Sequence, residues 1–446
     1  MSTASAGIAP SGAVPGLIVA APSSGSGKTV LTLGLLRNWQ RSGVAVAPFK
    51  SGPDYIDAAF HSAAAGQACI NLDIWAMREE TLNSCAGAIS ADAELVVGEG
   101  VMGLFDGAVE GGGATADLAA HFALPVVLVV DVRGQGASVA ALVEGFANHR
   151  ADIQVAAVIL NHVASARHEA MLRAALLPTT IPVLGAVPRA DVLALPARHL
   201  GLVQAGEREN LQSFLSSAAD LMARHVDCDG LQALAQPLRG SSAASPLPVA
   251  PLGQNIAVAR DSAFAFCYEA VLAGWQLAGA SLSFFSPLDN EAPNAAADAI
   301  YLPGGYPELY AAQLATNQNF LGGLRRAAEA GAWVYGECGG FMVLGDCLID
   351  GDGGRHAMAG LLPVETSLAD PRRHLGYRAA TLLADAPFAA SGAEFRGHEF
   401  HYATVTQIGT APPLFRCRDS SGNDLGESGT AVGKVLGSFV HLIDKC

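Results

Sequence analysis

Gly16-Leu17-Ile18-Val19-Ala20-Ala21-Pro22-Ser23-Ser24-Gly25-Ser26-Gly27-Lys28-Thr29 decides how the first half of the chain folds. An unbroken apolar run, a glycine-serine turn and the helix-forming TVLTLGLLRNWQRSG follow one another directly, which predicts strand, loop and helix. The loop fits the phosphate-binding pattern G-x-x-x-x-G-K-[ST], with Pro22 in place of its first glycine. Gly25 and Gly27 let backbone N–H groups turn toward phosphate oxygens, and the helix presents its positive end to the same place. Ser24, Gly25, Ser26, Gly27, Lys28 and Thr29 are therefore the expected ATP cradle. Within it Lys28 reaches the outer phosphates and the Thr29 hydroxyl is suited to Mg²⁺.

Outward from this loop, VAVAPFK, LVVGEG, PVVLVVDV and VAAVILNHV alternate with Ala/Leu-rich segments of helical period up to about residue 225. Continuous apolar strands between helices predict a parallel sheet covered on both faces. Ligands of such sheets sit beyond the strand ends. Two acidic segments stand there, Lys50-Ser51-Gly52-Pro53-Asp54-Tyr55-Ile56-Asp57 and Glu99-Gly100-Val101-Met102-Gly103-Leu104-Phe105-Asp106-Gly107. Glu99 is the first candidate for Mg²⁺ and Asp54 the second. Asn161, after AVIL, is a candidate reader of the adenine edge.

The chain has 446 residues, so two or three domains are expected. It is 51% apolar and 15% charged, a composition of packed α/β cores. A net charge of −15 argues against nucleic acid or an anionic membrane as the main partner. No apolar stretch approaches the roughly 20 residues that span a bilayer. The eight cysteines are scattered, without zinc-site or disulfide-scaffold spacing, which points to a reduced, cytoplasmic setting. Residues 1–13 lack Lys and Arg and read as a disordered tail, not a signal peptide.

Composition shifts after residue 227. The stretch QPLRGSSAASPLPVAPLGQ reads as a linker, giving a phosphate-loop domain over 14–227, a linker over 228–254 and a second α/β domain over 255–446. In that second domain WVYGECGGFMVLG sets Gly336-Glu337-Cys338-Gly339-Gly340 between a strand and a helix. Small residues on both sides of a cysteine permit the sharp turn of a nucleophile elbow, where a helix N-terminus lowers the thiol pKa. The thiol needs a base. His441, in the terminal GSFVHLI, is the first candidate, and His398 and His401 in RGHEFHY are its rivals. The turn Leu302-Pro303-Gly304-Gly305-Tyr306-Pro307-Glu308 offers the N–H groups of Gly304 and Gly305 as an oxyanion hole.

Taken together, these motifs resemble a family over nearly the whole length. The elbow, the PGGYPE turn and His441 resemble the class I glutamine amidotransferase domain of corrinoid amidases, which is flavodoxin-like. APSSGSGKT, FKSGPDYID and EGVMGLFDG resemble their dethiobiotin-synthetase-like ATPase domain. The combination is similar to the cobyrinic and hydrogenobyrinic acid a,c-diamide synthases, and ARDSAFAFCYE, FFSPL and DNEAP lean toward the hydrogenobyrinic acid branch.

That resemblance implies two doubly wound α/β domains and ATP- and glutamine-dependent amidation of the a- and c-acetates of hydrogenobyrinic acid, with cobyrinic acid or a sirohydrochlorin as alternatives. Ammonia comes from L-glutamine through a Cys338 thioester, and an acyl phosphate activates the substrate. Lys28 and Lys50 neutralise the transferred phosphoryl group, while Asp54, Tyr55, Ile56 and Asp106 border the substrate carboxylates. A homodimer is among the assemblies this allows. Pro22 stands for Gly and Ala58 for Pro; at Ile443 most class I domains carry a Glu two residues after the histidine, but the resembled subfamily lacks it too, so the resemblance implies a Cys-His pair. The group that orients His441 is therefore unassigned by the sequence. Cobyric acid synthase shares both domains but not the GPDYID loop. A ParA-like ATPase switch shares the phosphate loop, yet has no reason for the Cys338 elbow.

Overall fold

The computed structural model describes residues 14–109, 111–190, 210–242 and 247–446. The tail expected over 1–13 lies outside them. Strand β1 (Pro15–Ala20) is the centre of an eight-stranded sheet that also holds β2 (Val46–Ser51), β3 (Ile70–Leu72), β4 (Leu95–Glu99), β5 (Val126–Asp131), β6 (Val155–Val163) and β7 (Val183–Pro188). Their order is β3-β2-β4-β1-β5-β6-β7, with every pair along it parallel. Leu17, Ile18, Val19, Val96, Val97, Leu128 and Val129 are fully buried, as a sheet covered on both faces requires. The chain reverses order at β1, so the loop leading to helix α1 (Lys28–Arg41) sits at a topological switch point.

The linker expectation needs correction. Cys228–Leu234 is a helix capped by Asp227, and β8 (Gln236–Pro237) adds to β1 in antiparallel fashion. Ser242 N donates to Asn83 O, so the first domain extends through residue 242. From the other side, Trp275 Nε1 donates to Val249 O and Lys445 N to Pro248 O. The Pro/Ser-rich composition is real, but its apolar side chains pack: Leu238 and Val249 are buried.

The second domain is built on β9 (Asn255–Ala259), β10 (Ser281–Phe285), β11 (Ala299–Leu302) and β12 (Trp333–Glu337), ordered β10-β9-β11-β12 and all parallel. Val435–Ser438 continues this sheet parallel to β12, and Thr430–Val432 closes it antiparallel. Two further sheets were not expected as separate layers. One has four strands, from Cys347–Ile349 to Thr404–Ile408, and the other five, with His374–Leu382 paired to Glu394–His401 and that strand to Val440–Lys445. Their strands alternate weakly between exposed and buried positions, so they lack the long apolar runs that mark a parallel core.

The two domains meet along helix α2 (Tyr55–Ala65) and the segment after β3. Tyr55 stacks on Phe266, with centroids 4.7 Å apart, and Tyr268 Oη donates to Pro53 O. Trp75 stacks on Tyr377 at 4.3 Å, and the Tyr377 hydroxyl donates to Asp73. Arg78 makes a fork to the fully buried Asp444, the shortest bond being 2.8 Å. Aromatic stacking combined with a desolvated, bidentate ion pair gives this interface both apolar area and a fixed register.

Candidate active site

The phosphate loop turns through Gly25 (φ 78°) and Gly27 (φ 86°). At Gly27 a side chain would also collide with Asn161, whose Nδ2 lies 2.3 Å from where a Cβ would stand. Asn161 Nδ2 donates to Ser26 O at 2.9 Å while its Oδ1 accepts from His162 N. This asparagine therefore holds the loop with one of its two amide hydrogens, its oxygen being taken by the N–H of the next residue. Lys28 Nζ donates to Met102 O, in the loop after β4, at 2.7 Å.

Behind the loop lies a dense charge cluster. Lys50, at the end of β2, is 2.6 Å from Asp57 and 2.8 Å from Glu99, with Asp54 at 3.9 Å. Burial alone would lower the Lys50 pKa, but the three carboxylates hold it well above the usual range. Thr29 Oγ1 donates to Glu99 at 2.8 Å and stands 3.3 Å from Asp57. The second oxygen of Glu99 meets His61 Nε2 at 2.6 Å. Burial tends to raise Glu99, yet Lys50 and His61 keep it well below the ordinary carboxylate value. Burial likewise disfavours a charged His61, and Glu99 overrides it, carrying the imidazole up to about 10.

This arrangement redistributes the acidic roles. Asp54 Oδ1 accepts from Ile56 N and Asp57 N and so caps α2, with its carboxyl pushed by burial to about 6. Asp57, one helical turn inside, presents its carboxylate beside Thr29. Asp106 Oδ2 accepts from Gly103 N at 2.9 Å and shapes the turn after β4 rather than standing free. His61 escaped the sequence reading altogether. Its only signal was position, since residues 54, 57 and 61 share one face of a helix that starts at Tyr55.

In the second domain Cys338 has φ 48° and ψ −107°, a strained backbone for a non-glycine residue. Gly336, Gly339 and Gly340 permit it: a Cβ at Gly340 would stand 2.0 Å from Leu302 O. Gly304 does the same for the partners. A Cβ there would fall 2.3 Å from His441 Cε1, 3.1 Å from His441 Nε2 and 3.2 Å from Cys338 Cβ. Only a glycine lets the imidazole edge and the thiol side chain converge at this point, with Gly305 following immediately.

The expected depression of the thiol pKa is corrected by the environment. Cys338 is buried, and desolvation, with the nearby Glu308, pushes it up. Its S–H donates to Phe400 O at 3.6 Å. His441 is fully buried and pushed down to about 3, again by desolvation. The resting pair is therefore neutral thiol and neutral imidazole, because a lone six-residue helix does not offset the loss of water. Of the rival bases, His401 has both nitrogens engaged, by Ala403 O and Glu399, and stacks on Phe439 at 3.7 Å. His398 pairs across the strand with His441 and is also pushed down by burial to about 3.

Tyr55, expected at the substrate, lines the interdomain cavity with Ile56 and also reaches into this site. Its hydroxyl lies 3.2 Å from His441 Nε2, and the rings are 5.0 Å apart. The residue after it, Ile56, lines a cavity of about 420 Å³ between the domains, together with Arg260, Asp261, Phe266 and Glu269. Helix α2 therefore carries phosphate-side acids on one face and a contact to the cysteine site at its first residue.

A phosphate-loop ATPase domain docked on a cysteine-histidine domain of this geometry defines a nucleotide-driven, glutamine-dependent ligase. Residues 17–203 match the CobQ/CobB/MinD/ParA nucleotide binding domain, and residues 255–445 the CobB/CobQ-like glutamine amidotransferase domain. The hydrogenobyrinate a,c-diamide synthase of Brucella anthropi is 54% identical over 433 residues, covering 97% of this chain and 99% of its own. Those of Rhizobium meliloti and Rhodobacter capsulatus are 54% and 51% identical, each over 96% of this chain. The chain belongs to the hydrogenobyrinate a,c-diamide synthase family, and its class of reaction is the ATP- and glutamine-dependent amidation of cobalamin synthesis. A ParA-like switch is set aside by the amidotransferase domain. Among the described residues no helix is long and apolar enough to cross a membrane.

Proposed function

We propose that this chain converts hydrogenobyrinate to its a,c-diamide in the cytoplasm, taking nitrogen from glutamine and driving force from ATP. The observation that carries the reading is the double placement of α2, with Asp57 and His61 on the charge cluster and Tyr55 on His441. The choice of hydrogenobyrinate rests on the names of the relatives.

In the cysteine domain His441 Nε2 takes the thiol proton as Sγ bonds to the glutamine amide carbon, and Gly304 and Gly305 N–H groups stabilise the oxyanion. The proton returns to the departing nitrogen, which leaves as ammonia. Water then cleaves the thioester to glutamate. In the first domain the substrate carboxylate attacks the γ-phosphoryl group of ATP, and Lys28 and Lys50 offset its charge. Ammonia displaces phosphate from the acyl phosphate. Among the described residues no three acidic, His or Cys side chains form a metal-binding group by themselves, and Lys50 lies between Asp57 and Glu99, so Thr29, Asp54, Asp57 and Glu99 would hold Mg²⁺ only together with the nucleotide's phosphates, whose charge it would neutralise. Ile56 and the loop closed by Asp106 border the acetate arm.

The test is to offer hydrogenobyrinic acid, cobyrinic acid and sirohydrochlorin separately with Mg·ATP and glutamine, and to weigh the products. The reading expects hydrogenobyrinic acid to gain two amides fastest; preference for either rival would replace the substrate, and no amidation of any would refute it.

Two variants probe the first domain more finely. His61→Gln keeps a hydrogen-bond donor for Glu99 but loses the positive charge, so amidation with ammonium should slow by roughly 10- to 100-fold, about 1.4–2.7 kcal/mol, and its Mg²⁺ titration should move to lower concentration, because one cation fewer opposes the metal at Glu99. An unchanged Mg²⁺ titration would show that His61 does not tune the cluster. Ile56→Ala enlarges the interdomain cavity beside the acetate arm. Because about 1.4 kcal/mol shifts a ratio tenfold, the monoamide should accumulate or change identity during the time course. Identical intermediates at every time point would remove Ile56 from the substrate boundary.

A further inference from the structure

His441 has no carboxylate two residues further along its own strand, where most class I amidotransferase domains carry one. An imidazole that must receive a proton at Nε2 has to keep its other proton on Nδ1, and it is stabilised in the charged form by an acid beside that nitrogen. On the terminal strand, residues two apart share a face, and the one two beyond His441 is the buried Ile443. Nothing there is acidic. His441 Nδ1 is itself buried without a hydrogen-bond partner.

The geometry points to Glu337, the residue immediately before the nucleophile, as the positioning residue that holds His441 Nδ1–H. This inference rests on the reading of Cys338 and His441 given above. Glu337 Oε2 stands 3.8 Å from His441 Nδ1, with both side chains almost wholly out of water. The carboxylate is fixed on its other sides: Oε1 accepts from Leu442 N at 3.1 Å, and Oε2 from the Tyr301 hydroxyl at 2.7 Å. The bond to Leu442 N ties Glu337 to the residue that follows the histidine. Cys338 N donates to Ser438 O, which ties the elbow to the strand Val435–Ser438 that leads directly into the terminal strand. A shift of less than an ångström closes the Glu337–His441 gap to a hydrogen bond.

The other groups facing His441 do not supply this function. Tyr55, from α2, lies at Nε2, the opposite nitrogen. His398 and His401, from the strand Glu394–His401, bring no negative charge, and Glu399 is engaged by Arg378 and His401. In the step itself the proton on Nδ1 stays in place. Only the Nε2 proton moves, from Sγ to the ring and from the ring to ammonia, while the negative carboxylate stabilises the transient imidazolium. Burial pushes the Glu337 carboxyl up to about 7, which means the ionised form becomes dominant only near neutrality.

Glu337→Gln is the informative variant, since an amide keeps the volume and still pairs with Leu442 N and Tyr301. We expect kcat for glutamine hydrolysis to fall roughly 100-fold, within the range for acid–base support, with KM changed by less than about threefold. The acidic limb of the parent's kcat/KM profile near pH 7 should vanish. Thermal melting and ammonium-driven amidation, which reports on the other domain, control for folding. The inference is overturned if Glu337→Gln keeps kcat within about threefold, if the acidic limb persists unchanged, or if the loss tracks a matching drop in melting temperature. Cys338→Ala, run in parallel, separates the two levels: retained glutamine hydrolysis there refutes the underlying assignment, whereas its loss beside an active Glu337→Gln refutes only the role of Glu337.

Discussion

Cys338→Ala will abolish glutamine-driven amidation while ammonium-driven amidation continues near the parental rate. The effect on glutamine hydrolysis should be large, roughly 10⁴-fold or more, because the variant has no sulfur beside His441 to form the thioester. The fold should tolerate it. Alanine has the same Cβ as cysteine, so the backbone at φ 48° is no more strained than before, and the lost S–H contact to Phe400 O is a weak one. Ammonium bypasses the whole domain by reaching the acyl phosphate from solvent. The measurement is a pair of initial rates, with glutamine and with ammonium chloride, on the same preparation. Parental glutamine turnover in the variant would end the assignment of the nucleophile. A simultaneous loss of ammonium-driven synthesis would show instead that the two domains cannot act separately.

Lys28→Met should have the opposite signature, removing synthesis with either nitrogen donor and sparing glutamine hydrolysis. Its ammonium donates to Met102 O, and burial lowers its pKa somewhat, so it is held close to the loop that the γ-phosphate must approach. Loss of one preorganised charge at a transferring phosphoryl group costs on the order of 10³-fold. Methionine retains most of the volume, which separates charge from packing. Glu99→Gln is a poorer probe of the same step. It strips the negative charge from between Lys50 and His61, both buried and both charged, and breaking such a buried pair costs about 3–5 kcal/mol of stability. Lys28→Met with a parental melting temperature and no amidation would locate phosphoryl transfer at this loop. Retained amidation with ammonium would move it elsewhere.

Part of this chemistry is legible in the amino-acid sequence alone, and the reason is locality. The phosphate loop, Lys28 and Thr29 are specified within a dozen residues, because strand, glycine turn and helix N-terminus are all short-range features. The same holds for Gly336 to Gly340, where the flanking glycines are the visible trace of a backbone that must bend sharply at Cys338. Parallel strands declare themselves as apolar runs, so both central sheets are foreseeable. The sheet carrying His398, His401 and His441 is less so, because most of its antiparallel strands are half-exposed and give only a weak alternation.

Tertiary structure decided everything that depends on burial or on contact between distant segments. The thiol expected to be acidic is instead pushed up, since the loss of water around Cys338 outweighs a short helix. Asn161 clamps the phosphate loop from β6 and His61 holds Glu99 from α2, both contacts between segments distant in sequence, whereas Asp54 caps α2 within that helix's own first turn. Tyr55 stands 386 positions from His441 in sequence, and Glu337 stands 104 before it, yet both flank one imidazole. Spacing along a chain fixes chemistry only as far as one turn or one strand reaches; beyond that, the dielectric environment and the neighbours of each charged group are set by how the domains dock.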